Sequence, residues 1–353
     1  MKQLIICCDG TWQKISSPYP TNVVKITQAL SDRSQLVFYS EGIGTGNWID
    51  RIAGGILGWG IDKNIQDAYR FLCLNYAPGD RIFLFGFSRG AYTVRSLVGL
   101  IRSVGILPRQ GIRLIPSAYQ IYQAAKGEFV DRDTATREQV KIRELDRVVK
   151  FRQEMTDRFG ADYQEIAEIT LLSCWDTVGA LGIPRLMWMP AFIDRLLYKK
   201  YQFHNTKLSS KIAHALHAIA IDENRKAFSP TPMQAAQPGQ VTEVWFPGGH
   251  GCVGGGTRAN SGFSNAALLW TIDTVEQLDL GLKFDRRKIE DGIATKPTAE
   301  IESSWQLPVG KSWRQVPLDA TFDVSVFTRW QACKWYRPQN LVATHQHLLN
   351  NFC

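Results

Sequence analysis

RIFLFGFSRGAYTVRSL, Arg81–Leu97, passes from one backbone pattern into another within a few residues. Ile82, Phe83, Leu84, Phe85 and Phe87 are aliphatic or aromatic and follow Gly79-Asp80, which predicts a buried strand. From Ala91 the apolar residues fall at Ala91, Val94, Leu97, Val98 and Ile101, the spacing of a helix. Ser88 therefore stands at a sharp strand-to-helix junction. Gly86 and Gly90 suit a tight turn there, because neither brings a Cβ into a crowded backbone. G-x-S-x-G in a strand–turn–helix setting is the nucleophile-elbow pattern. The five letters alone recur by chance; with this setting Ser88 is a candidate nucleophile, the alternative being a structural turn serine.

Working outward, LIICC (4–8) reads as a strand and is followed by Asp9-Gly10-Thr11. QLVFYS (35–40) reads as a second strand, followed by EGIGTGN. A helix is predicted over 61–77, with Ile61, Ile65, Ala68, Leu72 and Tyr76 on one face and a stop at Pro78-Gly79. RIFLFGF is the third strand, ITLLSCW (169–175) the fourth and EVWFPG (243–248) the fifth. Strands alternating with helices predict an α/β fold with a mostly parallel sheet covered on both faces. Chemistry in such sheets gathers at the carboxyl ends of the strands. Ser88, Asp9, Asp176 and His250 each follow the end of one of these strands.

Two inserts interrupt the rhythm. Residues 107–165 carry a long charged helix, predicted as a cap, with Val140, Leu145, Val148 and Met155 packing inward. Residues 178–203 are bulky and apolar, with Arg185, Arg195, Lys199 and Lys200 among and beyond the apolar side chains. A lid that meets lipid has this composition, and so does an ordinary packed loop and helix. From 280 onward the strand rhythm fades into a segment rich in Trp (Trp305, Trp313, Trp330, Trp335), expected to pack on the core. The predicted layout is a catalytic domain over 1–280, with 107–165 and 178–203 as cap and lid, and a C-terminal segment over 281–353.

Composition narrows the class. The chain of 353 residues is 44% hydrophobic and 21% charged, as in a globular protein with a substantial core. No run of apolar residues is long enough to span a bilayer. MKQLIICCDG enters a strand directly, without a signal-peptide layout, so a cytoplasmic protein is expected. Seven cysteines at no metal-like spacing read as reduced thiols. The net charge of +8 favours an anionic partner or membrane surface, or is spread over a solvated face. No nucleic-acid motif is present, and no nucleic-acid partner is expected.

A serine hydroxyl needs a base, commonly a histidine oriented by a carboxylate. Of six histidines, His204 precedes a predicted helix and His214 and His217 lie within it, in packing or surface positions. His345 and His347 form an H-x-H pair that would bind a metal only with further partners, and no metal or cofactor is expected. His250, in WFPGGHGCVGGG, follows a strand in a flexible loop and is the candidate base. Asp176, in SCWDTVGALG, is the candidate orienting acid, and the order Ser88, Asp176, His250 is that of α/β-hydrolases. Asp9 is the rival carboxylate, but it precedes the serine.

Oxyanion stabilisation is expected from the backbone N–H of Arg89 and from one of Gly10, Thr11 or Trp12, each such donor being worth roughly 3–4 kcal/mol. Asp9 would then hold that turn, with Gly86 and Gly90 shaping the elbow. A phosphatase reading of C-x-D-G-T fails because Cys7 stands where the attacking aspartate would be. GIGTG (42–46) and GGHGCVGGG match no phosphate-cradling loop and read as active-site wall.

CDGTW, YSEGIGTG, GFSRGAYTVRSLVGLI, CWDTVGALG, HAIAIDENRKAFSPT and EVWFPGGHGCVGGG occur in this order over roughly residues 3–275. In this the chain resembles a family of bacterial α/β-hydrolases, long catalogued as a domain of unknown function. The family includes the catalytic domain of type VI secretion phospholipase effectors. The resemblance implies an α/β-hydrolase fold, a Ser88–Asp176–His250 triad and hydrolysis of lipid esters, with delivery by a type VI apparatus as one possibility. Cys252 stands where the family usually carries an aspartate, which puts the strength of the activity in question. Three readings follow: a serine hydrolase of phospholipid or other lipid esters; a soluble esterase, thioesterase or polyester depolymerase without a membrane role; and a non-catalytic scaffold.

Overall fold

The computed structural model describes residues 1–11, 13, 15–31, 34–42, 56–127, 134–164, 167–179, 208–301 and 311–350. Its sheet contains β1 (Gln3–Cys8), β2 (Gln35–Ser40), β3 (Arg81–Phe87), β4 (Ile169–Trp175), β5 (Ile212–Ala220), β6 (Val241–Phe246) and β7 (Thr321–Phe322). Their order is β2-β1-β3-β4-β5-β6-β7. Every neighbouring pair is parallel. Gly86 of β3 pairs with Cys8 on one side and Cys174 on the other, so the carboxyl ends of β1, β3 and β4 lie level. The α/β architecture is the expected one.

Helices α1 (Asn22–Ala29), α2 (Ile56–Asn75), α3 (Arg89–Val104), α4 (Ile115–Gly127) and α5 (Thr134–Phe159) precede β4. After β6 come α6 (His250–Gly254), α7 (Arg258–Gln277), α8 (Val324–Ala332) and α9 (Gln339–Asn350). Side chains alternate across each strand, and both faces are buried. Leu4, Ile6, Ile82 and Leu84 meet Ile61, Ile65 and Leu72 of α2 and Val94 and Leu97 of α3. Ile5, Cys7, Phe83 and Phe85 face the other way, towards Val23 and Ile26 of α1 and Leu268 and Ile272 of α7. Each such fully buried aliphatic side chain contributes roughly 2 kcal/mol to folding before entropy is counted. Helix α1 begins where Thr21 Oγ1 accepts a hydrogen bond from the N–H of Val24.

The observed elements differ from the predicted ones at β5 and in the C-terminal segment. Ile212–Ala220, which carries His214 and His217 and was expected to be helical, is strand β5. Its run of Ala, Leu and Ile is buried on both faces between β4 and β6, and periodicity does not separate such a strand from a helix. The C-terminal segment re-enters the sheet as β7, a strand too short to leave a pattern. Its tryptophans also divide: Trp330 is buried, whereas Trp313 and Trp335 are 43% and 64% exposed. Trp305 lies outside the described residues.

In the 107–165 insert, Met155 of α5 is buried, as expected, together with Phe151. Val148 is half-buried, and the side chains of Val140 and Leu145 lie outside the described residues. The 178–203 segment is described only at its first two residues, so the lid reading lies outside the described residues. Among the described residues, no helix is long and apolar enough to cross a membrane.

The elbow helix α3 packs against the end of β1 without room for a side chain at Gly90. A Cβ there would stand 2.0 Å from the Cys8 carbonyl oxygen. Gly90→Ala is therefore expected to destabilise the protein by about 3 kcal/mol or more, because backbone must move to accept the methyl group. Urea unfolding of the variant beside wild type measures this, and an unchanged midpoint would refute the packing.

Candidate active site

Ser88 ends β3 and begins α3 in the left-handed region, with φ 57° and ψ −119°. A non-glycine residue there carries strain of order 1–3 kcal/mol, sustained only where its surroundings fix it. The surroundings do so by backbone bonds on both sides. The Ser88 N–H donates to the Trp175 carbonyl (3.0 Å), and the Ser88 carbonyl accepts from the N–H of Tyr92 (3.3 Å). The close approach of Gly86 to Ala91 completes the turn: a Cβ at Gly86 would lie 2.7 Å from the Ala91 Cα.

His250 opens α6 after Gly248, whose φ of +95° turns the chain back over the strand tops. The His250 N–H donates to Glu223 Oε2 (3.1 Å), and Glu223 is in turn held by Arg225 at 2.8 Å. The imidazole lies between two aromatic rings, stacked on Phe87 at 4.8 Å and edge-on to Phe228 at 5.0 Å between centroids. His250 Nε2 is 2.8 Å from Ser88 Oγ, and its Nδ1 is 2.6 Å from Asp176 Oδ2. An ionised carboxylate only accepts, which assigns the proton to Nδ1 and leaves Nε2 to accept from the serine hydroxyl.

Asp176 follows β4, also in the left-handed region, at φ 43°. Its N–H donates to the Ala218 carbonyl at 2.7 Å. Oδ1 accepts from the Ala220 N–H (2.9 Å) and from Arg314 Nη1 (2.6 Å); Oδ2 accepts from Arg314 Nη2 (2.9 Å) besides His250. Burial would push this carboxyl up, but the Arg314 charge and the hydrogen bonds from His250 and Arg314 hold it well below the usual carboxylate range. The next residue is tied down as well: the Thr177 N–H donates to His217 Nε2 (3.1 Å), and His217 Nδ1 is 2.8 Å from Glu243 Oε1. His217, expected in a surface or packing role on a helix, is thus a buried strand residue supporting the turn that holds Asp176.

Asp9 takes no part in this chain of hydrogen bonds. Its Oδ1 accepts from the Gly10 N–H (2.7 Å), and its Oδ2 accepts from Thr21 Oγ1 (2.6 Å) and from the Tyr39 hydroxyl (3.0 Å). Because the Gly10 N–H is committed to Asp9, Gly10 is withdrawn as an oxyanion donor, leaving Arg89 and Thr11 from the sequence reading. Trp12 lies outside the described residues. Gly10 keeps a steric role, since a Cβ on it would stand 3.2 Å from the Ser88 Cβ.

His345 is buried with both ring nitrogens engaged, Nδ1 with Thr344 Oγ1 (2.6 Å) and Nε2 with the Pro317 carbonyl (2.9 Å), so the H-x-H pair is not poised for a metal. Cys252 is buried beside Asn260, with Sγ 3.4 Å from Asn260 Oδ1, and burial pushes its thiol up to about 12. It packs under Gly248, outside the Ser88–His250–Asp176 chain. GIGTG (42–46) lies, after Gly42, outside the described residues.

Arg314 and the aromatic pair were not legible in the sequence. Arg314 stands 138 positions from Asp176 along the chain. It lies among other exposed-looking charges with no motif around it. Glu223 falls inside HAIAIDENRKAFSPT, and its only signal was a carboxylate just beyond a buried apolar run.

Burial pushes the Asp9 carboxyl up from 3.8 to about 6, against the three donors that favour its ionised form. With the folded value above the unfolded one, folding takes up a proton between about pH 4 and about pH 6; the contribution to stability is full below that window and is lost as pH rises through about 6. Asp9→Asn keeps the acceptor towards Gly10 and offers an amide to the two hydroxyl oxygens. The variant is expected to lose about 1 kcal/mol of the wild type's stability difference between about pH 5 and about pH 7.5. Chemical denaturation at both pH values checks this, and identical pH dependence in the two proteins would count against it.

The family described as "T6SS, Phospholipase effector Tle1-like, catalytic domain" matches residues 2–274. An uncharacterized protein of Saccharomyces cerevisiae is 29% identical over an alignment of 252 residues, covering 66% of this chain and 33% of that protein. The likeness thus extends beyond the bacteria expected from the sequence, and the chain spans about a third of its yeast relative. Among solved structures, an uncharacterized protein from Pseudomonas aeruginosa aligns with TM-score 0.45 and 14% identity, over 84% of this chain and 49% of that one. A Tle1 effector bound to the VgrG spike of the type VI secretion system aligns with TM-score 0.38 and 17% identity, over 72% of this chain and 51% of the effector. By the match over residues 2–274, the chain belongs to the Tle1-like phospholipase effector catalytic-domain family.

Proposed function

We propose that this chain is a serine hydrolase that cleaves carboxylic esters of phospholipids or other lipids through an acyl-enzyme. The observation that carries the reading is the continuous chain Ser88 Oγ–His250 Nε2 (2.8 Å) and His250 Nδ1–Asp176 Oδ2 (2.6 Å), starting from a serine on a strained elbow. Family membership supports a lipid substrate.

In this mechanism Ser88 Oγ attacks the ester carbonyl as its proton passes to His250 Nε2. Asp176 holds the imidazole in the tautomer that accepts this proton and balances the imidazolium that forms. The negative oxygen of the tetrahedral intermediate is stabilised by the backbone N–H groups of Arg89 and Thr11. His250 then gives the proton to the departing alcohol or lysolipid, leaving Ser88 acylated. A water molecule, deprotonated by His250 Nε2, then attacks the acyl carbonyl; the Ser88 Oγ–acyl bond breaks, the fatty acid departs, and His250 returns the proton to Ser88 Oγ. The +8 net charge supports work at an anionic membrane. The family description also supports delivery by a type VI apparatus, the alternative being residence in the cytoplasm.

The test is labelling with a fluorophosphonate probe, followed by fatty-acid release from phosphatidylglycerol vesicles. Wild type is expected to label and to hydrolyse lipid, and Ser88→Ala and His250→Ala to lose the label. Ser88→Ala is expected to lower turnover by about 10⁴–10⁶-fold with the fold intact. A loss below about tenfold on a lipid ester would remove Ser88 from the mechanism. Preference for short soluble esters with no gain from vesicles would move the reading to a water-soluble esterase. Folded protein that never labels, even with vesicles, would favour a scaffold.

A further inference from the structure

The family match ends at residue 274, yet a buried side chain from beyond it grips the acid of the candidate site. Arg314 donates through Nη1 to Asp176 Oδ1 (2.6 Å) and to the Ala220 carbonyl (2.8 Å). Through Nη2 it donates to Asp176 Oδ2 (2.9 Å) and to the Phe228 carbonyl (2.6 Å). The two carbonyls fix the plane of the guanidinium, and the guanidinium fixes the plane of the carboxylate. Its own backbone is anchored in turn. The Arg314 carbonyl accepts from Asn340 Nδ2 (3.2 Å), and the same amide donates to Ile221 (3.0 Å) at the end of β5. The Ser312 N–H donates to the Asn224 carbonyl (2.7 Å), in the loop that carries Glu223.

We propose that Arg314 is a positioning residue of the catalytic unit, which balances the buried charge of Asp176 and holds its carboxylate with Oδ2 towards His250 Nδ1. The inference rests on the functional reading above. Its physical basis is that a carboxylate removed from water neutralises itself unless a cation and donors compensate for lost hydration. A neutral Asp176 would neither stabilise an imidazolium nor specify the Nδ1–H tautomer. A planar fork matches both carboxylate oxygens at once, which an ammonium does not. The same cation is what holds the Asp176 carboxyl below the usual carboxylate range, so that the acid stays charged in its buried place. The segment after residue 274 is thereby part of the catalytic machinery.

The experiment compares wild type, Arg314→Gln, Arg314→Lys and Ser88→Ala, each as the 353-residue chain. The readouts are the second-order rate of fluorophosphonate labelling and kcat/KM on one ester across pH, with near-ultraviolet circular dichroism to check folding. Arg314→Gln is expected to label about ten- to a hundredfold more slowly and to move the acidic limb of the pH profile to higher pH, because the cation that holds the Asp176 carboxyl low is gone. Arg314→Lys keeps the charge, so its acidic limb stays near that of wild type while its rate falls by about threefold or more for want of the fork.

A folded Arg314→Gln variant with the wild-type rate and limb would overturn the assignment and leave Arg314 as a tie for the C-terminal segment. If Arg314→Gln does not fold, Arg314→Lys decides, and a wild-type rate there overturns it equally. Wild type that is folded but does not label, or labelling that survives in Ser88→Ala, would overturn the functional reading itself and the role of Arg314 with it. Labelling through Ser88 that is indifferent to Arg314 would overturn only the role of Arg314.

Discussion

A carboxylate with no exposed surface lies at the centre of this site, and much of the surrounding structure serves to keep its charge compensated. Asp176 receives a backbone N–H, a guanidinium fork and an imidazole N–H on two oxygens. Each donor comes from a different part of the chain: the end of β5, the segment beyond 311, and the loop after β6. Removing one partner from such a cluster leaves an uncompensated buried charge, which costs far more than the net gain from forming the pair. The cluster is therefore a point at which fold and chemistry constrain one another.

Close steric packing supplies the other constraint. The turn at Ser88 is accommodated because Gly86 and Gly90 let β1, β3 and α3 approach more nearly than a Cβ would permit. Gly254 lets α6 approach the ring of Phe87 in the same way; a Cβ there would lie 2.0 Å from that ring. Phe87 in turn is the surface on which His250 stacks. The glycines around the site serve contact between backbones and rings more than mobility. The seat of the imidazole is built by exclusion of side chains as much as by hydrogen bonds.

The C-terminal segment changes how the candidate site is bounded. It adds β7 to the sheet, buries Trp330 against Ile219 and Trp245, and brings Tyr336 within 2.9 Å of Asp222 Oδ2, the same oxygen that accepts from the Gly248 N–H. That contact braces the turn before His250. The family match covers the strands that carry Ser88, Asp176 and His250, while the contacts that hold Asp176 and the turn before His250 reach beyond it.

Local pattern determined a good deal. An apolar run ending in G-x-S-x-G specifies a strand, a turn and a helix from within the segment itself, and the alternation of strands with helices specifies a parallel sheet whose carboxyl ends share one edge. Ser88, Asp9, Asp176 and His250 were legible as strand-end residues for that reason. Tertiary structure decided what each does there. Asp9 binds Gly10, Thr21 and Tyr39, while Asp176 meets His250, a choice made by which strand tops face one another. β5 escaped notice because a strand buried on both faces carries no alternation, and His217 acquired its place only through Glu243 and Thr177 on neighbouring elements. Arg314 was invisible because charge compensation depends on distance in space, and nothing in the residues near it records a carboxylate 138 positions away.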